Sequence, residues 1–337
     1  MPQLNIACFE VSPWEKQTLQ KQLKGHKLFF SKDILSDKNK LGLKHIQVLS
    51  VFIYSQLSAK VLKQLPTLKL ICTRSTGFDH IDLKYCRKHK IAVCNVPSYG
   101  ENTVAEHTFA LILALSRNVH KSYLRSLARD YSIEGLIGFD LQGKTLGVLG
   151  AGSIGLHVIR IAKGFGMQVL AYDPYPNKAM AEILGYQYAP LNDVLKKADI
   201  LSLHMPHTPE THHMINRASL KRLKKGVILI NTARGALVET EALLQGLDQK
   251  IIAGVGLDVL EGEALIKEEK QILYDKSKLA QLGDLIKDHL LLSRDNVVFT
   301  PHIAFYSHEA LQRILETTVH NIEAFTAGKP INLVGKH

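Results

Sequence analysis

Cysteine is scarce and poorly placed for cross-linking. The chain has four, Cys8, Cys72, Cys86 and Cys94, all in its first hundred residues and none in a Cys-x-x-Cys spacing. Free thiols are therefore expected rather than a disulfide framework. Cys8, Cys72 and Cys94 lie in apolar, strand-like runs, where cysteine serves as a small core residue. Long hydrophobic runs are missing too. The longest uncharged one, Ile46 to Ala59, is too short to cross a bilayer, and Met1 to Glu10 has no basic segment leading into an apolar stretch. A cytoplasmic protein with no membrane partner is expected, and no segment is of low complexity.

Acidic residues are in deficit, 31 against 42 Lys and Arg, for a net charge of +11. The excess raises the question of nucleic acid. Its densest run, Lys221-Arg-Leu-Lys-Lys225, follows Ser219 and precedes the apolar Gly226-Val-Ile-Leu-Ile230, so it reads as the polar end of a helix before a buried strand. Other lysines are scattered and not interleaved with aromatics, as a single-strand groove would require. No nucleic-acid partner is expected. The excess charge would instead draw small anions to the surface.

What is present is an α/β pattern of some size. With 337 residues, 46% hydrophobic and 22% charged, the chain is long enough for two globular domains. Strands are predicted at Leu4 to Val11, Lys27 to Phe30, Val48 to Tyr54, Leu68 to Thr73 and Ile91 to Val96, with helix-like segments between them. The first helix opens with a capping box and a helical proline in Ser12-Pro-Trp-Glu15. A second series follows at Thr145 to Leu149, Met167 to Tyr172, Asp199 to His204, Val227 to Asn231, Ile251 to Asp258 and Asn296 to Pro301. Each series predicts a doubly wound parallel sheet covered by helices. Between them, Thr103 to Asn118 is apolar all round, which predicts burial between domains or subunits. Glu261 to Asp295 is charged and irregular, an excursion with a helix or two, and Ser307 to Thr326 is a closing amphipathic helix.

The second series starts with the most informative stretch, Gly143-Lys-Thr-Leu-Gly-Val-Leu-Gly-Ala-Gly-Ser-Ile-Gly155. Its G-x-G-x-x-G falls where a strand hands over to a helix. Gly150 permits the reversal, Gly152 removes the side chain that would block a pyrophosphate, and Gly155 lets helix and strand pack closely. The helix N-terminus then favours the phosphates without a lysine. Asp173 ends the next strand, 23 residues after Gly150. A carboxylate there accepts from ribose hydroxyls and repels a 2′-phosphate, so NAD is expected over NADP.

Three polar residues stand just past later strands: Arg234 in Asn231-Thr-Ala-Arg-Gly235, Glu263 in Asp258-Val-Leu-Glu-Gly-Glu263, and His302 in Thr300-Pro-His302. The same side of the sheet carries the glycine turn, so they can converge on a nicotinamide. Arginine offers a planar fork for a carboxylate, histidine titrates near neutrality, and an acid beside the imidazole would fix its orientation. In the first series, the loops Arg74-Ser-Thr-Gly-Phe-Asp79 and Val96-Pro-Ser-Tyr-Gly-Glu-Asn102 follow strand ends, and the turn at Gly77 could present N–H groups to a carboxylate. His212-His213 lacks a partnering carboxylate or cysteine pattern, so no metal is expected.

Taken together, Gly150-Ala-Gly-Ser-Ile-Gly155, Asp173, His204-Met-Pro206, Asn231-Thr-Ala-Arg-Gly235, Asp258 to Glu263 and Pro301-His302 resemble the NAD-dependent D-2-hydroxyacid dehydrogenases over nearly the whole chain. That resemblance implies a Rossmann cofactor domain, residues 102–301, inserted in a flavodoxin-like substrate domain, residues 1–101 and 302–337. It implies a homodimer formed through the Asn102 to Asn118 helix. It implies catalysis by Arg234, Glu263 and His302, with His302 as general acid/base. Cofactor contacts would come from Val104, Gly150, Gly152, Ser153, Ile154, Gly155, Asp173, His204, Pro206, Thr232, Ala233, Arg234 and Asp258, and substrate contacts from Tyr54, Thr76, Gly77, Tyr99, Arg234 and Tyr306. Arg74-Ser-Thr-Gly77, Tyr99 and His302-Ile-Ala-Phe-Tyr306 look most like the D-lactate branch, which implies NADH-dependent reduction of a small 2-keto acid, pyruvate first. Thr103-Val-Ala-Glu-His107 also resembles glyoxylate and phosphoglycerate members, so glyoxylate, hydroxypyruvate or a bulkier keto acid is the alternative. A non-enzymatic NADH sensor like the corepressors of this fold is a further one.

Overall fold

The computed structural model describes residues 3–36, 43–262 and 282–335. The chain forms two compact units, Met1–Tyr99 with Ser307–His337, and Gly100–Tyr306. The family resemblance implies changeovers at 101/102 and 301/302. His302 to Tyr306 instead go with the second unit, because the His302 N–H donates to the Asp258 carbonyl at 2.9 Å and the Ile303 and Ala304 N–H groups donate to the Asp258 carboxylate.

In the first unit β1 (Asn5–Cys8), β2 (Lys27–Phe30), β3 (Val48–Val51), β4 (Leu70–Thr73) and β5 (Ala92–Cys94) form one parallel sheet in the order β2-β1-β3-β4-β5. This is the flavodoxin-like order. Apolar residues on both faces give two cores, one around Phe9, Leu49, Ile71 and Val93, the other around Ile6, Val48, Leu70 and Cys72. The closing helix His308–Thr326 contributes Leu315, Val319 and Ile322 to the latter. It is pinned where Asn321 Nδ2 donates to the Asn95 carbonyl at 2.9 Å.

Two of the strands that end short of the extent patterning predicts do so for a common reason. Leu4 to Val11 stops at Cys8 because Glu10 turns left-handed, with φ 57°. Val48 to Tyr54 stops at Val51 because the Phe52 and Tyr54 N–H groups donate to the Glu10 carboxylate instead of a neighbouring strand.

The second unit holds β6 (Thr145–Leu149), β7 (Gln168–Tyr172), β8 (Gln187–Tyr188), β9 (Ile200–Leu203), β10 (Val227–Asn231), β11 (Ile252–Leu257) and β12 (Val297–Phe299), all parallel, in the order β12-β11-β10-β9-β6-β7-β8. The chain first builds outward through β7 and β8, then returns to add β9 on the other side of β6. That reversal makes the carboxyl ends of β6 and β9 the topological switch point, where ligands of open α/β sheets bind. The apolar helix Glu101–Ser116 covers one face, its Phe109, Leu111 and Ile112 sharing a core with Val148, Ile159 and Ile230. Its burial is thus explained within its own unit. β8, of two residues, was too short to read from pattern, and the helix Val119–Leu127, which buries none of its residues, was not anticipated.

Candidate functional site

The three glycines of the turn after β6 meet different surroundings. A Cβ on Gly150, whose φ is 97°, would lie 2.8 Å from the His204 carbonyl, and one on Gly155 would lie 2.0 Å from the Gly150 carbonyl oxygen. Neither position has room. A Cβ on Gly152 would meet nothing within 4 Å. Gly152 is also the N-cap of the helix Ser153–Gly164, with no capping side chain. Packing within the protein therefore accounts for Gly150 and Gly155 but not for Gly152. Open space at an uncapped helix N-terminus suits a pyrophosphate, whose charge the N–H groups and dipole would meet. Ser153 is exposed and Ile154 half-buried at this end.

Asp173, just past β7, accepts the Ala151 N–H on Oδ2 and the Tyr175 N–H on Oδ1, both at 2.8 Å. The acid expected at the ribose position is thus held against the glycine turn by the turn's own backbone. On the other side of that turn, the His204 N–H donates to the Leu149 carbonyl at 2.7 Å. Its ring nitrogen Nε2 lies 2.8 Å from Ser202 Oγ, and burial pushes the imidazole down to about 3, so it is neutral at physiological pH. Pro206 is exposed, its carbonyl taken by Thr211 Oγ1 at 2.7 Å.

At the ends of β10, β11 and β12 the sequence-predicted groups are locked to one another through Asp258. The Asp258 N–H donates to the Asn231 carbonyl, and Asn231 Nδ2 donates to the Arg234 carbonyl, both at 2.9 Å. The Ala233 N–H donates back to Asn231 Oδ1 at 3.0 Å, and a Cβ on Gly235 would lie 2.0 Å from the Leu260 carbonyl oxygen. The Arg234 corner is consequently seated on the segment after β11. Asp258 itself is 1% exposed. Its carboxylate accepts from Thr300 Oγ1 at 2.5 Å and from the Ile303 and Ala304 N–H groups at 2.9 Å, while its carbonyl accepts from His302. His302 is held at φ 57°, an uncommon conformation for a residue with a side chain, of the kind that collects at functional sites. Arg234 and His302, both half-buried, therefore stand on either side of β11 with Asp258 fixing both loops.

Two participants were missed by sequence reading. His107 Nε2 lies 2.9 Å from Thr300 Oγ1 and 3.5 Å from Asp258 Oδ1, and burial lowers its pKa against the opposing pull of the Asp258 charge. A further bond joins Thr108 and Thr232 hydroxyls at 2.9 Å, one turn beyond the buried Val104. The available signal was the polar Thr103, His107 and Thr108 in a helix that is largely apolar from Val104 onward. Glu263 lies outside the described residues. His213, read as lacking a carboxylate partner, has one supplied by the fold: its Nε2 is 2.5 Å from Glu261 Oε1. Among the described residues no group of three or more His, Cys, Asp or Glu is arranged to hold a metal ion.

In the first unit, the turn after β4 has its carbonyls engaged. Asn95 Nδ2 donates to the Thr76 carbonyl at 2.8 Å and Ser75 Oγ to that of Gly77 at 2.6 Å, while Thr76 Oγ1 donates to the Val96 carbonyl. Tyr99 is half-buried, its carbonyl accepting from Arg313 Nε at 2.6 Å. Tyr54 and Tyr306 are exposed.

Comparison with known proteins agrees with this architecture. Residues 109–304 match the family model described as D-isomer specific 2-hydroxyacid dehydrogenase, NAD binding domain. The chain is 36% identical over 333 residues to the D-lactate dehydrogenase of Escherichia coli K12, covering 97% of this chain and 98% of that one. It is 39% identical over 262 residues to an aromatic 2-oxoacid reductase of Clostridium sporogenes, covering 77% and 76%. Among solved structures, the D-lactate dehydrogenase from Aquifex aeolicus complexed with NAD and lactic acid is similar with a TM-score of 0.86, at 39% identity over 96% of each chain.

Proposed function

Since the chain belongs to the D-isomer specific 2-hydroxyacid dehydrogenases, NAD-dependent oxidoreductases, we propose that it interconverts a small 2-keto acid, pyruvate first, and the corresponding D-2-hydroxy acid, with His302 as general acid/base. The observation that carries this reading is the pair Arg234 and His302 fixed on the two sides of Asp258, past the ends of the strands that flank β11. Arg234 binds the substrate carboxylate as a fork and draws electron density from the neighbouring carbonyl. His302 gives its proton to the C2 oxygen in the reductive direction and takes it back in the oxidative one. The N–H groups at Thr76 and Gly77 are further carboxylate donors, with Tyr54, Tyr99 and Tyr306 bounding the substrate's side chain. Glu263 is assigned the orienting acid on its motif position.

NAD supplies the hydride chemistry when bound. Gly152 and the N-terminus beyond it would hold its pyrophosphate, and Asp173 its ribose. Val104, Ser153, Ile154, His204, Pro206, Thr232, Ala233 and Asp258 would complete its surroundings. The buried Asp258 carboxylate, bridged by Thr300 to His107, keeps the His302 loop in its left-handed turn.

The homodimer, expected through the Asn102 to Asn118 helix, belongs to the same proposal. Beyond that helix, Val119–Leu127 exposes Tyr123, Leu124 and Leu127, and the segment after it exposes Tyr131 (79%), Ile133 (83%) and Ile137 (93%), an apolar surface of the sort that marks an interface and is continuous in sequence with the Asn102 to Asn118 helix. No described helix is long and apolar enough to cross a membrane.

The test is NADH oxidation against pyruvate, 2-ketobutyrate, phenylpyruvate, 2-ketoisocaproate, glyoxylate, hydroxypyruvate and oxaloacetate. Highest kcat/KM on pyruvate supports the proposal. Preference for phenylpyruvate moves the chain toward the specificity for which the Clostridium relative is named, and silence across the panel overturns the assignment.

A further inference from the structure

Glu10 stands just past β1, and nothing in the proposed chemistry uses it. Its carboxylate is nevertheless fully engaged. Oε2 accepts the Phe52 N–H at 2.9 Å and Ser55 Oγ at 2.6 Å, and Oε1 accepts the Tyr54 N–H at 2.8 Å. Ser55 is itself buried, and its Oγ accepts the Leu35 N–H from the loop after β2 at 2.9 Å. One acidic side chain thus ties three positions of the loop that carries Tyr54. That side chain is delivered by a backbone in the left-handed region, φ 57°, which a residue with a Cβ adopts only when its surroundings hold it there.

What holds it is Arg74. Nη2 of this 1% exposed arginine donates to the carbonyls of Phe9 at 2.8 Å and Glu10 at 2.7 Å, Nη1 donates to Ser50 Oγ at 3.1 Å, and the Arg74 N–H donates to the Val51 carbonyl at 2.8 Å. Glu15, 3.8 Å from Nε, offsets the buried charge. Arg74 also begins the turn that leads to Thr76 and Gly77. Two loops therefore take their position from the same peptide: the turn read as binding the substrate carboxylate, and the loop whose tyrosine is read as bounding its side chain. β1, β3 and β4 are neighbours in the sheet, so this bracket lies across adjacent strand ends.

We propose that Glu10 is a positioning residue for substrate-size selection, acting through the Phe52–Ser55 loop on Tyr54. This rests on the reading of Tyr54 as a substrate residue. Only an ionised carboxylate presents acceptors on both oxygens for two N–H groups and a hydroxyl; an amide of the same shape turns one acceptor into a donor facing a donor. Glu10→Gln therefore releases one end of the loop while preserving volume, and the tyrosine that sets the pocket's depth is free to retreat.

The experiment compares kcat/KM for pyruvate and for 2-ketoisocaproate in wild type, Glu10→Gln, Tyr54→Ala and the double variant, together with the NADH dissociation constant. Glu10→Gln is expected to shift the ratio roughly tenfold toward the bulkier acid, mostly through KM for pyruvate, with NADH affinity unchanged because the glycine turn lies in the other unit. In the Tyr54→Ala background the same substitution should change the ratio less than twofold. A Tyr54→Ala variant with altered selectivity beside a Glu10→Gln variant without it overturns the inference and leaves the Tyr54 reading standing. So does a Glu10→Gln effect of undiminished size in the double variant. Unaltered selectivity in Tyr54→Ala overturns both. Should Glu10→Gln fail to fold, Ser55→Ala removes one of the three bonds and must give the same direction of shift.

Discussion

Ala151 donates its backbone N–H to Asp173 Oδ2 at 2.8 Å, tying the acid past β7 to the glycine turn past β6. On the proposed reading one carboxylate has two tasks, shaping the turn and receiving ribose hydroxyls. Asp173→Ala removes both, so NADH affinity is expected to fall about tenfold, the loss of one to two charge-assisted hydrogen bonds. The kcat/KM ratio of NADPH to NADH should rise by a similar factor, since the charge that repels a 2′-phosphate is gone. Steady-state assays with both cofactors decide it; full retention of the NAD preference would place the choice on another residue.

Gly152 and Gly155 separate binding from folding. Gly155→Ala forces a Cβ to 2.0 Å from a backbone oxygen that is not free to move, so the unfolding midpoint should drop by the equivalent of about 3 kcal/mol. Gly152→Ala meets no protein atom, and its φ of −76° suits alanine. Stability should stay within about 0.5 kcal/mol while NADH affinity falls at least tenfold. Urea unfolding and NADH fluorescence titration of the two variants check this. Equal NADH affinity in Gly152→Ala and wild type would show that the open space is not where the dinucleotide runs.

His302→Ala is expected to lower kcat by about a hundredfold or more, the usual contribution of a positioned proton donor, with little change in NADH affinity. Arg234→Lys should raise KM for the keto acid, because a point charge replaces the fork, and lower kcat less. Unchanged steady-state constants in either variant would remove the role assigned to it.

Much of this was legible in the sequence because it depends on short-range pattern. The extents Lys27–Phe30, Thr145–Leu149 and Val227–Asn231 coincide with the apolar runs that predict them. Glycine spacing and the strand-to-helix handover located the turn, and membership of the family is what the ordered motifs implied. What was not legible depends on pairing across the fold. His107 and Thr300 meet through contacts nearly two hundred positions apart in the chain, and Glu10 reaches residues 52 to 55 across a separation of 42 to 45 positions. No periodicity encodes such partners. His213 shows the same point from the other direction, since its carboxylate lies 48 positions away in sequence.

Acid should weaken the fold through two histidines that it keeps neutral. Burial pushes His80 from 6.5 down to about 4, its Nε2 3.2 Å from Thr73 Oγ1, and pushes His204 down to about 3. In each case the unfolded chain takes up a proton near 6.5 while the folded chain resists until well below that. The stability these groups permit is therefore fully present above about pH 6.5 and is lost as the pH falls toward about 4 for His80 and about 3 for His204. Linkage puts the loss between pH 7 and pH 5 at about 2 kcal/mol for each. His80→Asn keeps a hydrogen-bonding side chain beside Thr73 but cannot titrate. Its own cost will show at pH 7, yet its further loss on going to pH 5 should be smaller than the wild type's by about 2 kcal/mol. Urea denaturation of both proteins at the two pH values measures the difference, and equal acid losses would mean that His80 is not held neutral in the folded first unit.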